Sequence, residues 1–162
     1  MVSNQTTVKW SDLYNLDVIV PSEGKSLGKI EDFFFKEGTN AVYALCVHTR
    51  LHGNLSLPVT GIVAVEKDRV AIRNPQMLAK ALPPLGRGQL LLARKVVGSK
   101  GSELGTIKDV VISVDPPASM HLAGFEMLRG SSLRTFNAAI VSHYDDGDNS
   151  VVIYDQSTRK MR

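Results

Sequence analysis

The sequence predicts a mainly β protein, built as two tandem small antiparallel β-barrels joined by a short helical connector. Three observations carry that expectation. The phrase "EGKSLGKIEDFFF" at 23–35 returns as "KGSELGTIKDVVI" at 100–112, with Gly24 matching Gly101, Leu27 Leu104, Gly28 Gly105, Ile30 Ile107 and Asp32 Asp109, a constant separation of 77 residues. β-Branched and aromatic residues come in runs of about four to eight, broken by Gly, Asn, Asp or Pro, which is the pattern of short strands. Between the two copies the composition changes to "RNPQMLAKALPPLGRG", rich in helix formers and closed by two prolines.

In chain order, strands are expected near Val18–Val20, Ile30–Phe35, Ala41–Thr49, Leu55–Pro58, Ile62–Val65 and Arg69–Ile72. The turn "GKSLG" before the second of these sets two glycines four apart, where a tight reversal or a positive φ is tolerated. Asn74 can cap a helix, Pro75 suits its first position and "QMLAKAL" continues it until Pro83 and Pro84 stop it, so the connector spans 74–82. The second set of strands falls near Leu90–Val97, Thr106–Ser113, His121–Leu128, Leu133–Phe136, Ala139–His143 and Ser150–Tyr154, with "GSELG" repeating the turn and Gly130 answering Gly53. The expected domains are 1–85 and 86–162. A 162-residue chain divided in this way leaves each half near the lower size limit for a self-sufficient core, so the halves are expected to pack together. Closing each small sheet into a barrel removes the free edges that recruit other chains.

Composition narrows the function classes. Residues 1–85 hold 9 Lys and Arg against 8 Asp and Glu, and residues 86–162 hold 10 against 8, an excess too small to make a nucleic-acid-binding surface by itself. Cys46 is the only cysteine, which excludes an intrachain disulfide and a thiolate zinc site, and its apolar setting "VYALCVH" marks a buried thiol. No run of about 18 apolar residues spans a membrane and no signal peptide opens the chain, so a cytoplasmic location is the expectation.

These residues resemble a known family. The phrases "VIVPSEGKSLGKIEDFFF" and "KVVGSKGSELGTIKDVVI", closed by "LPVTGIVAVEKDRVAI" and "RTFNAAIVSHYDDGDNSVVI", are similar to the PRC-barrel domain in two tandem copies. The resemblance implies a six-stranded barrel-like fold used for contacts with other macromolecules. Members include the cytoplasmic part of a photosynthetic reaction-centre subunit, the carboxy-terminal domain of a small-ribosomal-subunit maturation factor, and stand-alone prokaryotic proteins, the group this chain looks most like.

The motifs of chemistry resolve into structural readings. "EGKS" lacks the first glycine of a phosphate-binding loop, since Ile19 stands there, and "GRG" at 86–88 is followed by Leu91 with no helix behind it. His48 and His52 lie where a strand runs into a turn, with no carboxylate or thiolate to complete a metal site, and "DDGDN" reads as a hairpin tip around Asp146 and Gly147. No nucleophile elbow appears. No catalytic, cofactor-binding or metal-ligating residue is therefore expected, and the chain is not expected to be an enzyme. Gly24, Gly28, Asp32, Gly101, Gly105 and Asp109 are read as structural turn residues, the carboxylates accepting backbone N–H bonds. Apolar residues on both faces of "FFF" and "VVI" place Phe34 and Val111, or Phe33 and Val110 if the parity is shifted, on an outward docking face. The functional expectation is a non-enzymatic adaptor that binds a protein assembly, with self-association as a homodimer a further outcome. The alternative is an RNA- or ribosome-associated factor using the basic residues Arg87, Arg94, Lys95, Lys100, Arg159, Lys160 and Arg162.

Overall fold

The structure is a computed structural model that describes residues 6–36, 38–98, 103–137, 141–144 and 151–154. The chain opens with strand β1 (Thr7–Lys9) and a one-turn helix α1 (Trp10–Leu13). The first half continues through β2 (Asp17–Ile19), β3 (Ser26–Phe35), β4 (Val42–Thr49), β5 (Gly53–Pro58), β6 (Ile62–Val65) and β7 (Arg69–Ile72). A two-residue strand β8 (Gly86–Arg87) leads into the second half, which holds β9 (Lys95–Gly98), β10 (Glu103–Ser113), β11 (His121–Arg129), β12 (Ser132–Asn137), β13 (Val141–Tyr144) and β14 (Val151–Tyr154). The protein is mainly β, and every expected strand has a counterpart within a few residues.

The two halves form equivalent sheets, ordered β5-β4-β3-β2-β7-β6 and β12-β11-β10-β9-β14-β13. In the first, the outer strands β5 and β6 are consecutive in the chain, joined by a single 3-10 turn at Val59–Gly61, so the sheet curls on itself as a barrel does. One pairing in each half departs from the antiparallel expectation: β2 runs parallel to β7, and β9 to β14. In the first half the reason lies in the 3-10 turn, which carries the chain from β5 into β6 without reversing it. β7, reversed once, then returns beside β2 in the same sense.

The halves exchange their leading segments. β1 pairs with β10 in the second sheet, and β8 pairs with β3 in the first. Buried residues of both halves belong to one continuous apolar cluster, from Trp10, Leu13, Phe33 and Phe35 to Ile107, Val110, Leu122 and Phe125. A β-bulge sets which side chains reach it. The register slips at Glu31, between the Ile30 and Asp32 pairings, and again at Lys108, between Ile107 and Asp109. One extra residue shifts the alternation of faces, so Ile30, Phe33 and Phe35 all enter the core while Asp32 and Phe34 face the other way.

Three expectations are corrected here. The connector at 74–82 is not a helix beyond one 3-10 turn at Pro75–Met77. Ala79 instead exchanges both backbone hydrogen bonds with Ser56 on the edge of β5, at 2.7 and 2.9 Å, and pairing that edge outweighs the helix propensity of "QMLAKAL". The strand expected over Leu90–Val97 is confined to β9, because Gly88–Leu91 forms a 3-10 turn and Ala93 takes a positive φ of 67°. The constant separation of 77 also ends, in the loop that follows β3 and β10. Lys29 pairs with His48 whereas Thr106 pairs with Leu128, a separation of 80 on the partner strand, since the equivalent pairs Phe35–Val42 and Ile112–Leu122 enclose six residues in the first half and nine in the second.

Candidate functional site

The two aspartates of the repeated phrase meet the exchanged segments. Asp32 Oδ1 accepts the N–H of Phe33 at 2.8 Å and the N–H of Gln89 at 2.9 Å, and Arg87 Nε donates to Oδ2 at 3.3 Å. Asp109 Oδ1 likewise accepts the N–H of Val110 at 2.8 Å and that of Ser11 at 3.2 Å, while Ser11 Oγ donates to Oδ2. Each carboxylate thus satisfies donors at the first turn of a segment that precedes the other half's barrel, where a helical turn leaves N–H groups unpaired. Burial pushes the Asp32 carboxyl above its usual range, against the pull of the Gln89 and Phe33 N–H groups and of Arg87. Gly28 and Gly105 sit at the matching bulged positions, with φ of 159° and 136°. A Cβ there would lie 2.6 Å from the carbonyl oxygen of His48 or of Leu128, so the neighbouring strand comes close only because both are glycine. Gly24 has a positive φ of 69° in open space, and Gly101 lies outside the described residues.

Phe34 is buried on the outer face of β3 with Ala44 and Cys46, under Leu85, and the Arg87 guanidinium stands 5.7 Å from its ring centroid. Its cover is therefore the segment leading into the second half. Val111, half-buried, lies opposite Lys9 of β1, in the place that Phe34 holds opposite Arg87. The Cys46 thiol is pushed up to about 11 by burial, which leaves it protonated and unreactive at neutral pH. Among the basic residues, Arg87 is bound to Asp32 and Phe34, Arg94 Nε donates to the Leu90 carbonyl, and Lys95 is exposed. Lys100, Arg159, Lys160 and Arg162 lie outside the described residues. Among the described residues no group of three or more His, Cys, Asp or Glu side chains converges as a metal site. His48 Nδ1 is instead engaged by Asn54 Oδ1 at 2.8 Å.

The longer β10–β11 loop builds a feature the sequence reading did not locate. It carries the 3-10 turn Pro117–Ser119, which packs beside the Val59–Gly61 turn and β6 of the first half. Backbone pairing of Val42 N–H with the Met120 carbonyl, and of Leu122 N–H with the Asn40 carbonyl, at 3.0 and 2.8 Å, ties the same loop to the start of β4. Between them lies an open cleft of about 570 Å³ with walls from both halves: Asn40 to Tyr43, Val59 and Thr60 on one side, Ala118 to His121 on the other. Among the described residues no Asp, Glu, Lys or Arg lines it, and Tyr43 at its lip is 48% exposed. The signal available in sequence was the change of loop, "KEGTN" in one copy against "VDPPAS" in the other.

Residues 5–78 match the family model of the PRC-barrel domain. The PRC-barrel match covers β1 through the 3-10 turn after β7, and thus includes the segment that crosses to the other half. Among curated proteins, none matches the chain. No helix among the described residues is long and apolar enough to cross a membrane.

Proposed function

We propose that the chain is a non-enzymatic docking module that receives a protein partner in the cleft between its halves. One observation carries the reading: an open cleft with no Asp, Glu, Lys or Arg among its described lining residues, and a half-exposed tyrosine at its lip, lies where one copy of the repeat departs from the other. A core requires the strands to be alike in both halves, but not the added loop, and an amphipathic tyrosine in partial solvent is the kind of anchor that protein interfaces use. The PRC-barrel match supports the same class of role. With no Lys or Arg among the described lining residues, the cleft favours an apolar segment of a protein over a nucleic-acid backbone, whose binding depends on clustered cations.

The test is a photo-crosslinking residue in place of Tyr43 in the native host, followed by affinity recovery at low and high salt with protein and RNA both identified. The expected result is one protein crosslinked at Tyr43 and recovered at both salt concentrations, with recovery lost in Tyr43→Asp. Recovery of RNA that disappears at high salt, or undiminished recovery by Tyr43→Asp, overturns the proposal.

A further inference from the structure

Each half of this protein holds a leading segment that belongs to the other. The first arm, Thr7 to Leu13, lies on β10, and the second, Leu85 to Leu91, lies on β3. Their contacts correspond residue by residue. Lys9 faces Val111 as Arg87 faces Phe34, the Ser11 N–H meets Asp109 as the Gln89 N–H meets Asp32, and Leu13 and Leu91 are both fully buried. Each arm places a cation on a carboxylate of the half it docks on, Lys9 on Glu126 at 2.9 Å and Arg87 on Asp32 at 3.3 Å. The arms share a spacing, "KWSDL" and "RGQLL": a cation, any residue, an N–H donor, any residue, a leucine. They differ in size where the strands differ inversely. A Cβ on Gly88 would stand 2.0 Å from the Phe33 ring, whereas the first arm has Trp10 there and the second half has Val110 in place of Phe33.

We infer that each half carries a binding groove for the arm of the other, so that the chain is a covalently linked, arm-exchanged dimer whose halves recognise each other without the connector. The ligand of each groove is an extended segment entering a helical turn, with a cation opposite the strand residue two after the aspartate. Its N–H groups go to that aspartate, and its leucine goes to the shared core. The connector packs Met77 and Leu78 against the shared core, adds the Ser56 to Ala79 pairing and then passes through the exposed stretch of Lys80 to Leu82, where a cut leaves both arms in place.

A specific-protease site inserted between Ala81 and Leu82 of the full chain, cut in the folded protein, tests this. The cut protein is expected to elute as one species at about 1 μM, the range of an ordinary specific complex, and to separate only in denaturant. Asp32→Ala with Asp109→Ala, which removes both hydrogen-bond sets, is expected when cut in the same way to dissociate at concentrations at least about tenfold higher, since even one such set to a charged group is worth about that much. If that variant does not fold before cutting, the pair Lys9→Ala with Arg87→Ala decides, with a several-fold weaker association expected. Separation of the cut wild-type halves at about 1 μM, or equal dissociation of the wild type and the deciding variant, overturns the inference.

Discussion

At the scale of single residues, the repeat dictates backbone geometry that side chains must respect. Replacing Gly28 or Gly105 by Ala pushes a Cβ into a neighbouring carbonyl oxygen at 2.6 Å, and the strand must move. Each substitution is expected to lower stability by about 1–3 kcal/mol, the range of a residue forced from its backbone region, read as a fall in the urea midpoint. Equal midpoints would refute the close-approach reading. Ala93 makes the opposite case. Its φ of 67° matches the 72° of Asn15 in the first half, yet alanine pays for the left-handed region where asparagine is at ease. Ala93→Asn is therefore expected to raise stability by about 0.5–1 kcal/mol, seen as a higher melting temperature. Asp32 sets a pH dependence whose sign follows from burial. Its folded pKa lies above the unfolded value, so its contribution is complete below about pH 4 and is lost as pH rises through the raised folded value. Asp32→Asn keeps an acceptor for the Phe33 and Gln89 N–H groups, and its stability is expected to fall less than wild type as the pH is raised from acid toward neutral. Urea titrations of both proteins across that window check it, and a wild type that gains on the variant with rising pH contradicts it.

At the scale of elements, the second arm covers the outer face of β3 and leaves a chemical reporter beneath it. Cys46 is fully buried, with Phe34, Ala44 and Leu85 over it, and its thiol is held near 11. Alkylation of the native protein at about pH 8, near the ordinary thiol pKa, is expected to be slow and to become at least about fivefold faster in Leu85→Ala, which opens the cover without removing a hydrogen bond. An unchanged rate would mean that Leu85 does not seal the thiol. The arms also show what sequence reading can reach. β3 and β10 were legible because branched and aromatic runs betray a strand whatever it pairs with, and Asp32 and Asp109 were legible as structural because they repeat. β1, α1 and β8 were not, since a three-residue strand, a single turn and a dipeptide carry no periodicity, and their partners lie on the other side of the chain. The parity of Phe33 and Phe34 needed the bulge at Glu31, which no residue type announces. The connector misled because its helix formers lost to a backbone edge at Ser56 that only the folded sheet presents. Tyr43 was passed over because its neighbours read as one more strand, and the cleft beside it is made by a loop from the other half.

At the scale of the whole molecule, the single apolar cluster and the crossed arms make the two halves one cooperative unit. Each half, taken alone, would leave exposed the strand face that the other half's arm covers, and at this size a barrel has little stability to spare. Trp10 tests the consequence, because it is the only tryptophan and belongs to the first arm. It is buried, and its ring meets Phe33 of the first half edge-on at 5.2 Å while the adjacent Ser11 binds Asp109 of the second. Its fluorescence therefore reports the junction, whereas far-UV circular dichroism reports the strands of both halves. If the halves fold as one unit, the two signals must trace the same urea transition, with the calorimetric and van't Hoff enthalpies equal. A destabilising change outside the arms, such as Gly105→Ala on β10, must then shift the tryptophan transition and the dichroism transition together. Fluorescence that changes at lower urea than the dichroism would show the arm leaving while the barrels persist, and two separated dichroism steps would show halves that fold independently. Either outcome would contradict a shared core and leave the exchanged segments as surface decoration.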